Sequence, residues 1–156
     1  MSGLVYRLIE FGLRFAARLR WLPPLLARLF VGCLFLLSGW GKVHRLAWFT
    51  SNFAAWGIPH PAFMAPFVAY TELIGGAMIM LGLLTRVVAI PMLANMVVAI
   101  ASVKIKEAHT LLDFVSFDEP LYAIVFIWLM IDGPGIVSLD FLLERLTKLD
   151  GWSRRL

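Results

Sequence analysis

The stretch from Phe63 to Leu84, FMAPFVAYTELIGGAMIMLGLL, is the most informative segment of the sequence. Its length of about 22 residues matches the ~20 that a helix rising ~1.5 Å per residue needs to cross ~30 Å of hydrocarbon. Glu72 lies near the middle of this stretch, and Gly75, Gly76 and Gly82 follow it. In a helix these positions share a face, which places the carboxyl beside a flat strip of glycines. The stretch therefore predicts a membrane span whose glycine face contacts protein rather than lipid.

The composition of the whole chain indicates a membrane protein. Of its 156 residues, 61% are hydrophobic and 15% are charged, whereas soluble domains carry about 25% charged residues. The length suits a single integral membrane domain over 1–156, without room for a separate soluble catalytic unit. The net charge of +4 is typical of Lys and Arg anchors at the cytoplasmic surface, and we expect no nucleic-acid partner.

The cysteine content excludes one class of function. Cys33 is the only cysteine, so the chain has neither a CxxC pair nor an internal disulfide. Small four-helix thiol oxidases that pass electrons to quinone need paired thiols. The chain therefore cannot perform that reaction alone.

Four segments have the apolar character of membrane spans. They lie at about 22–41, 63–84, 87–103 and 117–131. The short turn expected at Thr85 and Arg86 makes the second and third spans antiparallel neighbours, and Pro91 predicts a kink in the third span. The predicted fold class is all-α, a polytopic membrane four-helix bundle.

Both ends of the chain have the pattern of amphipathic helices that lie at a membrane surface. In the N-terminal segment, about 4–20, four charged residues form one stripe: Arg7, Glu10, Arg14 and Arg18. In the C-terminal segment, about 139–149, leucines occupy one side and charged residues the other. A cleaved signal peptide is disfavoured because no small-residue cleavage site follows. Lys and Arg are concentrated at the two ends, which predicts that both termini lie in the cytoplasm.

Several polar side chains fall where lipid would not tolerate them alone. Arg28 lies in the first span, Glu72 and Asn95 near the middle of the second and third, and Glu119 at the mouth of the fourth. Glu72 is a candidate proton carrier or polar-ligand contact; the alternative is a carboxyl held in a permanent hydrogen bond that fixes helix register. Arg28 either pairs inside the bundle or extends to the headgroups. Asn95 favours an interhelical hydrogen bond over a ligand contact.

We expect neither a metal site nor an evident resident cofactor. His44, His60 and His109 are separated in sequence and lack HxxxH spacing, which favours surface histidines. The sequence contains no phosphate loop, nucleophile elbow or dinucleotide fingerprint. No catalytic residue can therefore be named, and whether the chain is an enzyme stays open.

Five features occur in a fixed order. They are Arg28, FLLSGWGK ending at Lys42, WGIPHP, ELIGGAMIMLGLLTRVVAIPM from Glu72, and DGPGIVSLD up to Asp140, and they cover roughly 22–143. In this combination the chain resembles the DoxX family of small bacterial membrane proteins. The resemblance implies a four-helix membrane bundle with recurrent polar positions at Arg28, Lys42, Glu72, Glu119 and Asp140. It also implies a link to quinones, because the family is related to the small subunits of thiosulfate:quinone oxidoreductase.

The leading hypothesis is an accessory or anchor subunit of a quinone-linked membrane oxidoreductase system, with an apolar quinone cleft near Glu72 and Arg28. A carboxyl there would carry the protons that quinone reduction consumes. The expected partners are the lipid bilayer, a soluble or membrane oxidoreductase subunit, and a second copy in a homo-oligomer. The alternative is a small membrane transporter or a lipid-interacting scaffold with no redox role.

Overall fold

The structure, a computed structural model, describes residues 2–147, and every regular element in that range is helical. The α-helices are α1 (Ser2–Arg18), α2 (Leu22–His44), α3 (Leu46–Ala55), α4 (Pro61–Leu81), α5 (Thr85–Ala99), α6 (Ile105–Glu107), α7 (Leu111–Ser116), α8 (Asp118–Asp132) and α9 (Leu139–Thr147). A π-helical turn, Ile100–Lys104, joins α5 to α6. The last two positions of the expected C-terminal helix, 148 and 149, lie outside the described residues.

Three helical segments are long and apolar enough to cross a membrane. They are α2, α4 and the continuous run Thr85–Glu107, which comprises α5, the π-helical turn and α6. The chain is therefore an all-helical membrane protein. The helix at the position of the expected fourth span, α8, has 15 residues, fewer than the ~20 that a straight crossing needs. It packs against α5 and α2.

The turn between α4 and α5 differs from the expected one. The apolar run continues to Leu84, but α4 ends just before Gly82, which has a positive φ of 70°. Glycine adopts this left-handed conformation without steric penalty and often ends a helix in this way. Leu84 also has a positive φ, 48°, and Thr85 already begins α5. The expected turn at Thr85 and Arg86 is therefore wrong, and the chain reverses three residues earlier.

The third span is longer than the expected 87–103. The helix continues through the polar residues Lys104 and Glu107, because the π-helical turn connects α5 directly to α6. Single π-helical turns inside α-helices are frequent at functional sites. Here the turn brings Lys104 to α8, where its Nζ lies 3.7 Å from a carboxylate oxygen of Glu119.

Helices α2 and α4 pack backbone against backbone. A Cβ on Gly39 would lie 2.3 Å from the backbone nitrogen of Leu73, and a Cβ on Gly76 would lie 2.4 Å from the backbone nitrogen of Leu36. Any side chain at either position would therefore push the helices apart. Gly75 contacts α5 instead. The glycine face of α4 contacts protein, as the sequence predicts.

Gly39→Ala is expected to lower the free energy of unfolding by about 2 kcal/mol, because the added methyl group overlaps the α4 backbone. The control is Gly41→Ala on the same helix, since no atom lies within 4 Å of a Cβ at Gly41. Titration of both purified variants with SDS in mixed micelles measures the difference. Equal stability of the two variants would contradict the close approach of α2 and α4.

Two clusters of buried apolar side chains hold the helices together. The larger cluster joins α2, α4, α5 and α8 through residues that include Phe35, Ile79, Met92 and Phe126. The smaller cluster joins α3 to α4 through Phe49, Phe53, Ala65 and Ala69. Because α3 follows α2 almost directly, these contacts fold it back over α4 and close one side of the space between the long helices.

Candidate functional site

Glu72 is the buried acid of the candidate site. Its side chain is 3% exposed; Lys42 Nζ lies 2.5 Å from its Oε1 and also donates to Oε2. Ser38 Oγ donates to Oε2 at 3.0 Å. Ser38 and Lys42 are one helical turn apart on α2 and so share a face, and Gly39 lets that face approach α4. Glu72 is thus held by two donors from α2.

A cavity of about 480 Å³ lies beside this ion pair. Its walls come from α2, α3, α4, α8 and the third span, and most of the lining side chains are apolar. Aromatic rings are prominent among them: Phe35, Phe49, Phe53 and Trp56. Polar side chains line it in two groups, which are Ser38, Lys42, Glu72 and Asn95, and Lys104, Glu107 and Glu119. The volume falls within the ~300–1,000 Å³ of small-molecule sites.

Asn95 lines the cavity with an unused hydrogen-bond donor. Its Nδ2 atom is buried and has no hydrogen-bond partner among the described residues. A buried polar group without a partner costs about 1–3 kcal/mol. The sequence favoured an interhelical hydrogen bond for Asn95; in the structure its amide nitrogen has no such partner among the described residues.

Lys104, Glu107 and Glu119 form a second charged group on the cavity wall. Lys104 Nζ lies 3.2 Å from Glu107 Oε2 and stands 4.8 Å from the centroid of the Phe117 ring. The side chain of Glu107 is 52% exposed, and those of Lys104 and Glu119 are about one quarter exposed. This group lies at the end of the third span and is partly open to the surroundings of the protein.

Arg28 and Asp140 belong to a different cluster, which holds the α4–α5 turn. Asp140 accepts hydrogen bonds from the backbone N–H groups of Leu84 at 2.7 Å and Thr85 at 3.2 Å. A carboxylate is favourable there because the first N–H groups of a helix lack helical partners and carry partial positive charge. Arg28 is 1% exposed and donates to the backbone oxygen of Val137. Both residues contact Gly82: the backbone N–H of Asp140 donates to its carbonyl oxygen at 3.0 Å, and the Arg28 guanidinium lies against it.

The site residues predicted from the sequence lie in two separate places, the cavity and the cluster at the α4–α5 turn. Lys42, Glu72, Asn95 and Glu119 line the cavity, whereas Arg28 and Asp140 do not. Arg28 lies about 14 positions before Lys42 on α2, which is roughly 21 Å along a helix axis. The expected cleft near both Glu72 and Arg28 is therefore divided into a cavity at Glu72 and a turn cluster at Arg28.

Three polar residues of the cavity, Ser38, Lys104 and Glu107, were not predicted from the sequence. Ser38 is four residues before Lys42 and next to Gly39, and this spacing already indicated that it shares a helix face with Lys42. Lys104 and Glu107 lie beyond the expected end of the third span at 103. The apolar residues Val103 and Ile105 on either side of Lys104 were the signal that the helix continues.

The histidines take no part in the cavity lining. The Nδ1 atom of His44 lies 2.9 Å from the backbone oxygen of Trp40, one turn earlier on α2. In the range 2–147, no group of three His, Cys, Asp or Glu side chains is arranged to hold a metal ion.

Comparison with known proteins gives several curated relatives. A protein of Bacillus subtilis (strain 168) named "Putative oxidoreductase CatD" is 32% identical over 74% of this chain and 83% of its own length. The "Inner membrane protein YqjF" of Escherichia coli (strain K12) is 31% identical over 78% of this chain and 92% of its own length. The "Uncharacterized membrane protein Rv3486" of Mycobacterium tuberculosis is 34% identical over 81% of this chain and 83% of its own length. No solved structure matches the chain.

The family comparison covers the part of the chain that carries most of the cavity. The DoxX family profile matches residues 24–105, just over half of the sequence, from the first turn of α2 to the π-helical turn and the start of α6. This segment contains Lys42, Glu72 and Asn95. The chain belongs to the DoxX family of membrane proteins.

Proposed function

We propose that this DoxX-family protein binds a quinone in the cavity beside Glu72 and serves as the membrane subunit of a partner oxidoreductase. The observation that carries the proposal is a cavity of about 480 Å³ with mostly apolar walls, lined by the Lys42–Glu72 pair and by Asn95, whose amide nitrogen has no hydrogen-bond partner among the described residues. A ligand that suits such a cavity is apolar over most of its surface and carries a hydrogen-bond acceptor. A quinone ring with two carbonyl oxygens has this chemistry.

The cavity offers donors for both carbonyl oxygens of a quinone. Asn95 Nδ2 supplies one donor. Lys42 supplies the other. Its ammonium has three N–H groups, of which two serve the two oxygens of the Glu72 carboxylate, and the third is left for the quinone. The rings of Phe49 and Phe53 line the same cavity and can pack against the quinone ring in offset or edge-to-face geometry.

The charged groups account for the protons of the proposed reaction. Reduction of a quinone to the hydroquinone takes up two electrons and two protons. The partner oxidoreductase supplies the electrons. The carboxylates of Glu72 and Glu119 each take up a proton from water through the exposed Lys104 and Glu107 group and pass it to one of the two quinone oxygens. The oxidoreductase name of the B. subtilis relative supports a redox setting.

The proposal includes an arrangement in the membrane. We place α8 as a fourth crossing, because one side of it buries Phe126 and Leu129 completely while Ile124 and Ile131 are exposed on another. We place α1 and α9 at the membrane surface, where the exposed apolar side chains of α1 can enter the headgroup layer. The Lys and Arg residues at both ends then put both termini in the cytoplasm. The name of the E. coli relative supports the inner membrane as the location.

Asn95→Leu is expected to weaken binding of a benzoquinone by about tenfold, because one hydrogen bond to a carbonyl oxygen is lost and the cavity becomes purely apolar at that point. Equilibrium binding to the purified protein in phospholipid nanodiscs measures the effect. The matched control is Asn52→Leu on α3, because the side chain of Asn52 does not line the cavity; this variant is expected to bind like the unmodified protein.

The proposal is contradicted if the unmodified protein binds no benzoquinone, or if Asn95→Leu and Asn52→Leu bind it equally well. Proton-coupled uptake of a polar solute into proteoliposomes, without quinone binding, would favour the transporter alternative. Co-purification of a soluble oxidoreductase after gentle detergent extraction would support the subunit role.

A further inference from the structure

A second, apolar groove lies on the outside of the helices, between α4 and α5. Its volume is about 530 Å³. Apart from Tyr70 and Thr71, every side chain that lines it is apolar. Residues Phe63 and Ile74 of its α4 wall are 66% and 55% exposed, so the groove is open along its length to whatever surrounds the protein. In a membrane protein that surrounding is lipid.

Prolines lie on both sides of this groove. Pro66 is inside α4 and Pro91 is inside α5, and both line the groove. A proline inside a helix removes one backbone hydrogen bond, and its ring crowds the preceding turn. Neither side chain can extend into the space between the helices to fill it. The groove therefore follows from the presence of a proline in each of the two helices.

The groove and the cavity beside Glu72 meet at Phe67. This side chain lines both spaces. On α4, Met64 and Val68 line the cavity, whereas Phe63 lines the groove, and its ring stacks on Phe67 with centroids 6.3 Å apart. On the α5 side of the cavity, Val98 is 46% exposed. The cavity wall between α4 and α5 thus includes side chains that face the membrane.

We propose that the ligand reaches the cavity sideways from the bilayer past Phe67, and that the groove holds its isoprenoid tail while the ring occupies the cavity. The inference rests on the proposed quinone function and extends it to the tail. The groove follows α4 from Ala62 to Met78, about 16 positions or roughly 24 Å along the helix axis. This length compares with the ~30 Å of the hydrocarbon layer, so a tail in the groove runs parallel to the lipid chains.

The covalent link between the ring and the tail determines which molecule occupies the groove. Lipid chains are as apolar as the groove, so apolar contact alone does not favour one hydrocarbon over another in the membrane. A tail that is covalently joined to a ring held at Asn95 and Lys42 has a high effective concentration at Phe67, where the two spaces meet. An isoprenoid quinone can use both spaces at once, whereas a free acyl chain can use only the groove.

The test compares two ligands and two variants in the same phospholipid nanodiscs. The ligands are a tail-less benzoquinone and the same ring carrying an isoprenoid tail of several units. Ile74→Trp fills the groove. Ile124→Trp is the control, because Ile124 is 63% exposed on α8 and lines neither space. Partition of the tailed ligand into lipid is the same for both variants and cancels in the comparison.

We expect Ile74→Trp to weaken binding of the tailed quinone by about tenfold and to leave binding of the tail-less ring unchanged, while Ile124→Trp changes neither. Tenfold corresponds to about 1.4 kcal/mol. Equal effects of Ile74→Trp on both ligands, or no effect on either, would overturn the tail site and leave the ring site standing. Loss of a co-purified phospholipid without a change in quinone binding would assign the groove to lipid. If the unmodified protein binds neither ligand, the proposed function fails as well.

Discussion

Lys42→Met is expected to lower the free energy of unfolding by about 3 kcal/mol. The variant leaves the Glu72 carboxyl, 3% exposed, without the ammonium that lies 2.5 Å away. Removing one partner of a buried ion pair costs roughly 3–5 kcal/mol, because the remaining charge is uncompensated. We expect the lower end of this range, since the Lys42 side chain is itself 26% exposed. SDS titration in mixed micelles measures the change.

Two further variants separate the ion pair from a general effect of losing a lysine. Lys106→Met removes an exposed lysine of α6 and is expected to change stability by less than about 0.5 kcal/mol. Adding Glu72→Gln to Lys42→Met is expected to recover most of the lost stability, because the neutral amide can keep the hydrogen bond from Ser38. If Lys42→Met is as stable as Lys106→Met, or if the double variant is the least stable of the three, Lys42 does not neutralise the buried Glu72 carboxylate.

Asp140→Ala is expected to destabilise the protein by about 3 kcal/mol and to open the α4–α5 turn. The variant removes the acceptor of the N–H groups of Leu84 and Thr85, a loss comparable to that of a helix cap, about 1–2 kcal/mol. It also removes a negative charge from the neighbourhood of the buried Arg28 guanidinium, which contacts Gly82 as Asp140 does. Hydrogen exchange followed by mass spectrometry measures the opening directly, as faster exchange of the Leu84 and Thr85 amides.

The control for this prediction is Asp118→Ala at the start of α8, whose side chain is exposed. Its expected effect is below about 1 kcal/mol, the usual size of an exposed charge at a helix terminus. Exchange at Leu84 and Thr85 is expected to stay slow in this variant. Equal exchange in both variants would show that Asp140 does not hold the turn.

The sequence was sufficient to predict that Glu72 faces protein, because a helix places the acid and the glycines on one face. It was not sufficient to predict the end of α4. Leu83 and Leu84 continue the apolar run, and a hydropathy pattern carries no information about the positive φ of Gly82. The hydropathy pattern likewise predicted that the third span ends before Lys104, whereas in the structure the π-helical turn continues the helix through this residue.

The partners of the charged residues were harder to predict than their burial. Lys42 was selected by the DoxX resemblance, and its contact with Glu72 joins positions 30 apart in the sequence. The contact of Arg28 with Val137 joins positions 109 apart. Such contacts depend on how the helices pack, and a single sequence does not specify which polar groups meet. This is why one polar site was expected where the structure has a cavity and a separate turn cluster.

Photolabelling can show whether the cavity beside Glu72 holds a quinone. A benzoquinone carrying a photoreactive azide is irradiated with the protein in native membranes, and the labelled peptides are identified by mass spectrometry. We predict labels on the cavity walls, in α3 around Phe53 and in the third span around Asn95, that disappear when unlabelled quinone is added in excess. Labels spread over the exposed faces of the helices and unchanged by excess quinone would contradict the claim.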